Sequence, residues 1–483
     1  HTAMDLEQWR RYFRICKEYG LNHCRFHSWC PPAACFEAAD LEGIYLQPEL
    51  PIWGGFKKES AELMDFLMKD GENIMREYSN HASFVLFALG NELGGDIDVM
   101  KEFVDRFRSI EPRHLYTYGS NIFLGSRGHI PGEDFLVTCR VGSGEGYSTH
   151  ARASFSFADA EEGGYLNNTY PNSVMNFDEA LEKSPVPVIG HETGQFQTYP
   201  NYEEMKKYTG VLAPWNFEVC RDRLEKAGML EQADDFFKAA SDVYKRQGAW
   251  SVELYRADIE MNLRSKRMAG FQLLDLQDYP GQGAAYVGIL DAFMDSKGLV
   301  EPKKWREFCS EVVPLLTTAK FCWTGGESFA GTVEIANYGE TSLNEKSISW
   351  ELKNGKKSLG KGKMAIPSGL GLLTAGTIRL TLPDVEQAYK AELLLKVSGT
   401  SYQNSYPLWI YPAKKQLKAG TVVVARQLTD DVLNALKQGG KVLLMPREED
   451  CKEVTVGGLF QTDYWNYRMF KSICDRIKKP ASP

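Results

Sequence analysis

The sequence predicts an α/β fold: a (β/α)8 TIM barrel, then a β-sandwich, then the start of an open α/β domain. Three observations lead there. Helical segments and nearly all-apolar strands alternate over the first three hundred residues, which argues for a parallel sheet covered by helices. At about Pro314 the apolar spacing switches to strict alternation, as in half-buried antiparallel strands. Beyond residue 412 it returns to strand, helix, strand. The expected units are therefore 1–313, 314–412 and 413–483.

The elements follow in order. "LEQWRRYFRICKEYG" (6–20) has helical apolar spacing and stops on a glycine. "LNHCRFH" (21–27) reads as a strand, and "AACFEAADLEG" (33–43) as a helix closing on Gly43. "IYLQPE" (44–49) is the next strand and "SAELMDFLMKDGENIMREYSN" (60–80) a long helix. "SFVLFAL" (83–89), "HLYTYG" (114–119), "VPVIGHE" (186–192) and "AGFQLLDL" (269–276) are further strands. Helices "DVMKEFVDRFRSI" (98–110) and "SVELYRADIEMNLRS" (251–265) fall between them. A doubly wound open sheet is the second choice, but no G-x-G-x-x-G follows the early strands. In the middle unit, "GTVEIANYG", "SISWELKNG", "TIRLTLP" and "AELLLKVSG" alternate and are divided by turn residues, the pattern of a sandwich. "TVVVARQLTDDVLNALKQGGKVLLMP" (421–446) opens the third unit.

Composition excludes some classes. A net charge of −8 argues against a nucleic-acid partner, and no apolar run approaches the roughly 20 residues of a membrane-spanning helix. His23, Cys24, His27, Cys30 and Cys35 cluster in sequence, but a strand over 21–27 puts Cys24 on the face opposite His23 and His27. Buried thiols, not a metal, are the expectation. The chain starts directly into a helix and ends on "RIKKPASP", so a fragment of a longer polypeptide is expected.

In a barrel the C-terminal strand ends form the active face, which makes strand-end carboxylates candidates for chemistry. Glu49, Glu92 and Glu192 end three predicted strands. Such residues also cap helices, yet Glu92 precedes its next helix by several residues and Glu192 leads into a loop. Two glutamates on separate strands suit paired acid/base and nucleophile work.

At these residues the chain resembles glycoside hydrolase family 2, which holds β-galactosidases, β-glucuronidases and β-mannosidases. "NHASFVLFALGNE" (80–92) is similar to its "NHPSVxxWSxGNE" signature. "CRFHSWCPPAACFEAADLEGIYLQPELP" (24–51) is similar to the segment upstream, "PVPVIGHETG" (185–194) to the nucleophile strand and "GFQLLDLQD" (270–278) to the last barrel strand. The resemblance implies a retaining exo-β-glycosidase without cofactor or metal, acting on terminal β-linked sugars of an oligosaccharide or glycan. β-Galactosidase is the first expectation, β-glucuronidase the next; a non-catalytic glycan-binding protein on a degenerate barrel is the alternative from another class. The resemblance makes Glu92 the acid/base, Asn91 the partner of the sugar 2-hydroxyl, Glu192 the nucleophile and Arg25 the cation that keeps it ionised. Periplasmic or extracellular placement in a bacterium is expected, with the cytoplasm as the alternative.

Against the family pattern the first barrel strand is expected to be missing, and some positions depart. His27 stands one place early, Trp29 replaces a common tyrosine, Thr193 an aromatic residue, and Leu274 the platform tryptophan of the final strand. Trp29, Trp53, Asp275, Gln277 and Asp278 are candidate replacements in the sugar pocket. "HETGQ" is not HExxH, "GSGEGYS" (142–148) is no phosphate loop, and "SDVYKRQGAW" (241–250) carries no functional assignment.

Overall fold

A computed structural model describes residues 3–120, 129–138, 170–182, 184–194, 196, 201–232, 235, 250–279, 286–339, 342–413 and 420–451. The segments 142–148 and 242–247 lie outside these residues. Helix α1 (Leu6–Glu18) is capped by Asp5, which accepts the Gln8 N–H at 2.9 Å, and its periodicity turns Trp9, Phe13 and Cys16 inward. Strand β1 (His23–Arg25), helix α2 (Ala33–Glu42) and strand β2 (Tyr45–Gln47) form a right-sized β-α-β unit with β1 and β2 parallel. Gly43, at φ 71°, terminates α2 in the left-handed conformation that glycine adopts without strain.

The chain continues through β3 (Trp53–Phe56), α3 (Ala61–Tyr78), β4 (Leu86–Ala88), β5 (Asn91–Gly95), α4 (Ile97–Ile110), β6 (Leu115–Thr117) and β7 (Leu136–Thr138). After β8 (Val188–Gly194) come α5 (Trp215–Lys226), α6 (Trp250–Leu263) and β9 (Met268–Leu274). Seven strands form one parallel succession. β1 pairs with β2; Leu46 bridges to Phe84, just before β4, and Glu49 to Ala88 at the end of β4; β4 pairs with β6; Ser120, just past β6, bridges to Val137 of β7; and β7, β8 and β9 pair in turn. The succession is curled, because Gln272 of β9 donates to Gln47 of β2 at 2.9 Å and lies 3.0 Å from His23 of β1. Among the described residues no backbone ladder joins β9 to β1.

Most predicted strands run shorter than their apolar segments, but β8 keeps seven residues and is shifted to end on Gly194, so Glu192 lies inside it and not at its end; β3, β5 and β7 were not predicted. β3 and β5 form a parallel rim at the C-terminal strand ends, where Trp53 stands opposite Asn91 and Asn91 bridges to Ser120. Pro51, Gly54 and Gly55 in β3's surroundings read as turn signals, and Gly94 and Gly95 do the same for β5. The His23/Cys24/His27/Cys30/Cys35 cluster is absorbed into packing: Cys35 is fully buried beside Phe36 in the main core, with Cys24 and Cys30 packed against it.

Residues from Val312 onward form two antiparallel sheets. One holds β10 (Val312–Thr317), β12 (Ser328–Asn337) and β15 (Gly371–Thr381). The other holds β11 (Cys322–Thr324), β17 (Gln403–Tyr411), β16 (Tyr389–Val397), β13 (Ser347–Asn354) and β14 (Lys357–Ala365), with β11 and β17 parallel. Their alternate residues, among them Val333, Ile348, Leu393 and Ile410, fill one shared core. A buried polar seam ties this unit to α6: Arg256 donates to Asn404 Oδ1 at 2.9 Å and Glu260 accepts from Asn404 and Tyr406 at 3.0 Å each. Parallel strands β18 (Val422–Ala425) and β19 (Lys441–Leu444) flank α7 (Asp430–Lys437), whose cap Thr429 the sequence places before the apolar run. No helix among the described residues is long and apolar enough to cross a membrane.

Candidate active site

Glu92 and Glu192 emerge at the same end of the parallel strands, and each offers a carboxylate oxygen within 4.8 Å of the other. Both residues hold a left-handed backbone, at φ 47° and 46° respectively, as does Ser28 at 50°. For a residue with a Cβ this conformation costs about 1–2 kcal/mol, so the surroundings must hold it. At Glu92 the backbone N–H donates to Ser120 C=O at 2.7 Å, and at Ser28 it donates to Glu49 Oε2 at 2.8 Å. At Glu192 the ladder between β8 and β9 slips between Gly190 and Thr193, a bulge that turns the glutamate out of strand alternation.

Arg25, at the end of β1 and nearly buried, is the hub. Its Nε donates to Glu49 Oε1 at 2.6 Å and to Ser120 Oγ at 3.0 Å; its Nη2 donates to Glu49 Oε2 at 3.1 Å and to Asn91 Oδ1 at 2.6 Å. The remaining nitrogen, Nη1, reaches Glu192 Oε1 at 3.5 Å. Glu49 is wholly buried and also accepts from Ser120 Oγ at 2.5 Å. A buried charge needs such complete pairing. Asn91 is buried too, with Nδ2 lacking a hydrogen-bond partner among the described residues.

Burial by itself would raise the Glu192 carboxyl. His191 in the first place, then Arg25 and His27, hold it down to about 2 instead. His191 is wholly buried with Nε2 3.3 Å from Glu192 Oε1, and it lowers Glu192 both by its charge and as a hydrogen-bonding neighbour. Asp275 lies on the opposite trend: burial, then the charge of Glu192, push it up to about 7. Glu92, His191 and Glu192 are the described residues that could hold a metal ion, but the Arg25 guanidinium beside Glu192 opposes a divalent cation there.

The predicted residues divide into two groups. Arg25, Asn91, Glu92 and Glu192 converge as described, and Trp53 joins them, its Nε1–H donating to Glu92 Oε2 at 2.9 Å. His27 meets the Trp53 ring edge-on, with centroids 5.3 Å apart. Trp29 instead packs edge-on against Phe26, and its carbonyl accepts from Glu49 N at 3.1 Å. Asp278 is buried and committed to Lys297 at 2.7 Å and to the Gly288 N–H at 2.9 Å. Leu274 stands opposite Gly194 on the neighbouring strand. Sequence reasoning missed His191 and Ser120. A histidine inside an apolar strand reads as core, but Ser120, the polar residue right after strand "HLYTYG", carried the same strand-end signal as the glutamates.

Two family models match the chain: one described as a domain of unknown function (DUF8488) over residues 327–412, and another so described (DUF8487) over residues 423–481. No curated protein matches. Among solved structures, the exo-chitosanase CsxA of Amycolatopsis orientalis aligns at 14% identity and TM-score 0.48, over 86% of this chain and 48% of that one. The β-glucuronidase of Parabacteroides merdae aligns at 14% and 0.41, over 89% and 50%. A β-glucuronidase of Bacteroides uniformis aligns at 14% and 0.38, over 88% and 45%. The chain thus spans about half the length of these proteins. Likenesses of this size define neither a fold nor a chemistry, which must come from the chain's own residues.

Proposed function

We propose that this chain carries the catalytic site of a retaining exo-β-glycosidase on a TIM-type barrel, with Glu192 as nucleophile and Glu92 as general acid/base. The separation of the two carboxylates carries the proposal. Retaining enzymes hold the pair about 5–5.5 Å apart, whereas inverting enzymes leave about 6.5–9.5 Å for a water; an approach within 4.8 Å between oxygens supports the former. Glu192 attacks the anomeric carbon while Glu92 gives its proton to the departing oxygen, which takes the electron pair of the broken C–O bond. Water then enters, Glu92 removes its proton, and the sugar leaves Glu192 with its original configuration. The depressed Glu192 carboxyl suits a nucleophile that must be ionised. The unpartnered Asn91 Nδ2 supports a contact to a sugar hydroxyl.

β-Galactosides are the first substrate class to test, ahead of β-glucuronides. Glu92→Gln and Glu192→Gln should each abolish hydrolysis of aryl β-glycosides, assayed across a panel of sugars. Wild-type-like turnover in either variant would sink the assignment.

A further inference from the structure

Trp53 is more than a surface aromatic. It sits at the first position of β3, opposite Asn91 across the rim ladder, so the register sets its side chain beside Glu92. The residue is 59% exposed, yet its ring is held twice: by the Nε1–H bond to Glu92 Oε2 at 2.9 Å and by the edge-on His27 ring. An exposed tryptophan with no function to serve would gain little from such fixation.

An indole N–H can only donate. The oxygen it faces serves as acceptor, and because a carbonyl oxygen accepts better than a hydroxyl oxygen, the bond favours a proton on the other oxygen, Oε1. We propose that Trp53 is a positioning residue for the glycosidic proton transfer: its N–H reserves Oε2 as acceptor, directs the acid proton to Oε1, and leaves its exposed indole face to flank the departing group. The inference rests on the glycosidase assignment of Glu92 above. In the step itself the Oε1–H bond breaks toward the glycosidic oxygen as the C–O bond breaks. The N–H···Oε2 bond persists, stabilising the carboxylate that remains.

The consequence is selective. A leaving group that departs as a stable anion needs no proton, while a poor one depends on it. Trp53→Phe keeps an aromatic ring and removes the donor, and the position's exposure leaves the core untouched. The test compares kcat/KM of the full chain for 2,4-dinitrophenyl and unsubstituted phenyl β-glycosides, in wild type, Trp53→Phe and Trp53→Ala. Trp53→Phe is expected to lose about 10-fold or more on the phenyl glycoside, in line with one hydrogen bond to a charged group, and less than about 3-fold on the dinitrophenyl glycoside. Trp53→Ala should lose activity on both, since it removes the flanking face as well. Equal losses by Trp53→Phe on the two substrates, or no loss on either, would overturn the role of Trp53 while leaving the glycosidase assignment intact. A wild type that hydrolyses neither substrate would instead contradict that assignment, and this inference with it.

Discussion

Arg25 clasps Glu49 with two prongs of its guanidinium, at 2.6 and 3.1 Å, and approaches Glu192 only to 3.5 Å. The buried arginine is thus neutralised chiefly by a glutamate that does no chemistry in the proposed reaction. Glu49 anchors the hub that orients Asn91 and Ser120, and Glu192 receives what is left of the charge.

Breaking that pair should be costly. Removing one partner of a buried, hydrogen-bonded ion pair leaves an uncompensated charge, typically about 3–5 kcal/mol. Glu49→Gln should lower stability by this order in urea unfolding followed by tryptophan fluorescence. A variant within about 1 kcal/mol of wild type would show that the clasp is not an anchor.

The low Glu192 carboxyl has a pH signature. A folded-state value of about 2 lies below the ordinary carboxylate value, so its stabilising contribution is full above the unfolded value and is lost as pH falls toward 2. The nucleophile then stays ionised across the working range, and the acid limb of kcat/KM should hold no Glu192 step above about pH 4. Because His191 is the largest influence lowering it, His191→Asn should move that limb upward by about one pH unit. An unmoved limb would remove His191 from the account.

Asp258 behaves in the opposite sense. Burial pushes it up to about 7, though the Gly194 N–H donates to its Oδ2 at 3.1 Å. A raised carboxyl means the folded chain binds the proton more tightly, so stability is lost as pH rises from the unfolded value, about 3.9, toward 7. Asp258→Asn keeps an acceptor for Gly194 and removes the titration. Thermal unfolding from pH 5 to 8 should decline less in the variant than in wild type, with a gain of at least about 1 kcal/mol at pH 8. Parallel curves would contradict this.

Gly90 fixes the approach to Asn91 and Glu92. Its φ is 147°, and a Cβ there would stand 2.5 Å from the Ile52 carbonyl oxygen, a backbone atom with no room to yield. Gly90→Ala should cost about 2 kcal/mol or more and depress kcat with it, measured by thermal unfolding and by turnover. Unchanged values would mean that the rim strand adjusts freely.

Much of this site was legible in the sequence because barrel strands advertise themselves as apolar runs, and a carboxylate at such a run's end stands out as a candidate for chemistry or for an ionic anchor. Glu49, Glu92 and Glu192 stood out that way, whereas Arg25 and Asn91 came only from the family resemblance. Trp53's bond to Glu92 was not, because it depends on the register of β3 with β5, two short strands written in glycine and proline. His191 was hidden for the opposite reason: buried in a strand, it looks like core, and only the bulge beside it brings its ring to Glu192. The left-handed backbone at both glutamates also has no sequence mark, since neither is a glycine. In the unit that follows, four strands were legible from alternation, whereas β10 and β17, with Pro314 and Pro407 inside them, β14, rich in lysine and glycine, and the three-residue β11 were not.

The most direct test is covalent. Incubation with an activated 2-deoxy-2-fluoro-β-galactoside, or the matching sugar from the substrate panel, should trap the glycosyl-enzyme, because fluorine at C2 slows its hydrolysis more than its formation. Peptide mass spectrometry should then find one sugar per chain, on Glu192, and none in Glu192→Gln. Hydrolysis of ordinary substrate without any label on Glu192, or a label that persists in Glu192→Gln, would contradict the assignment of the nucleophile.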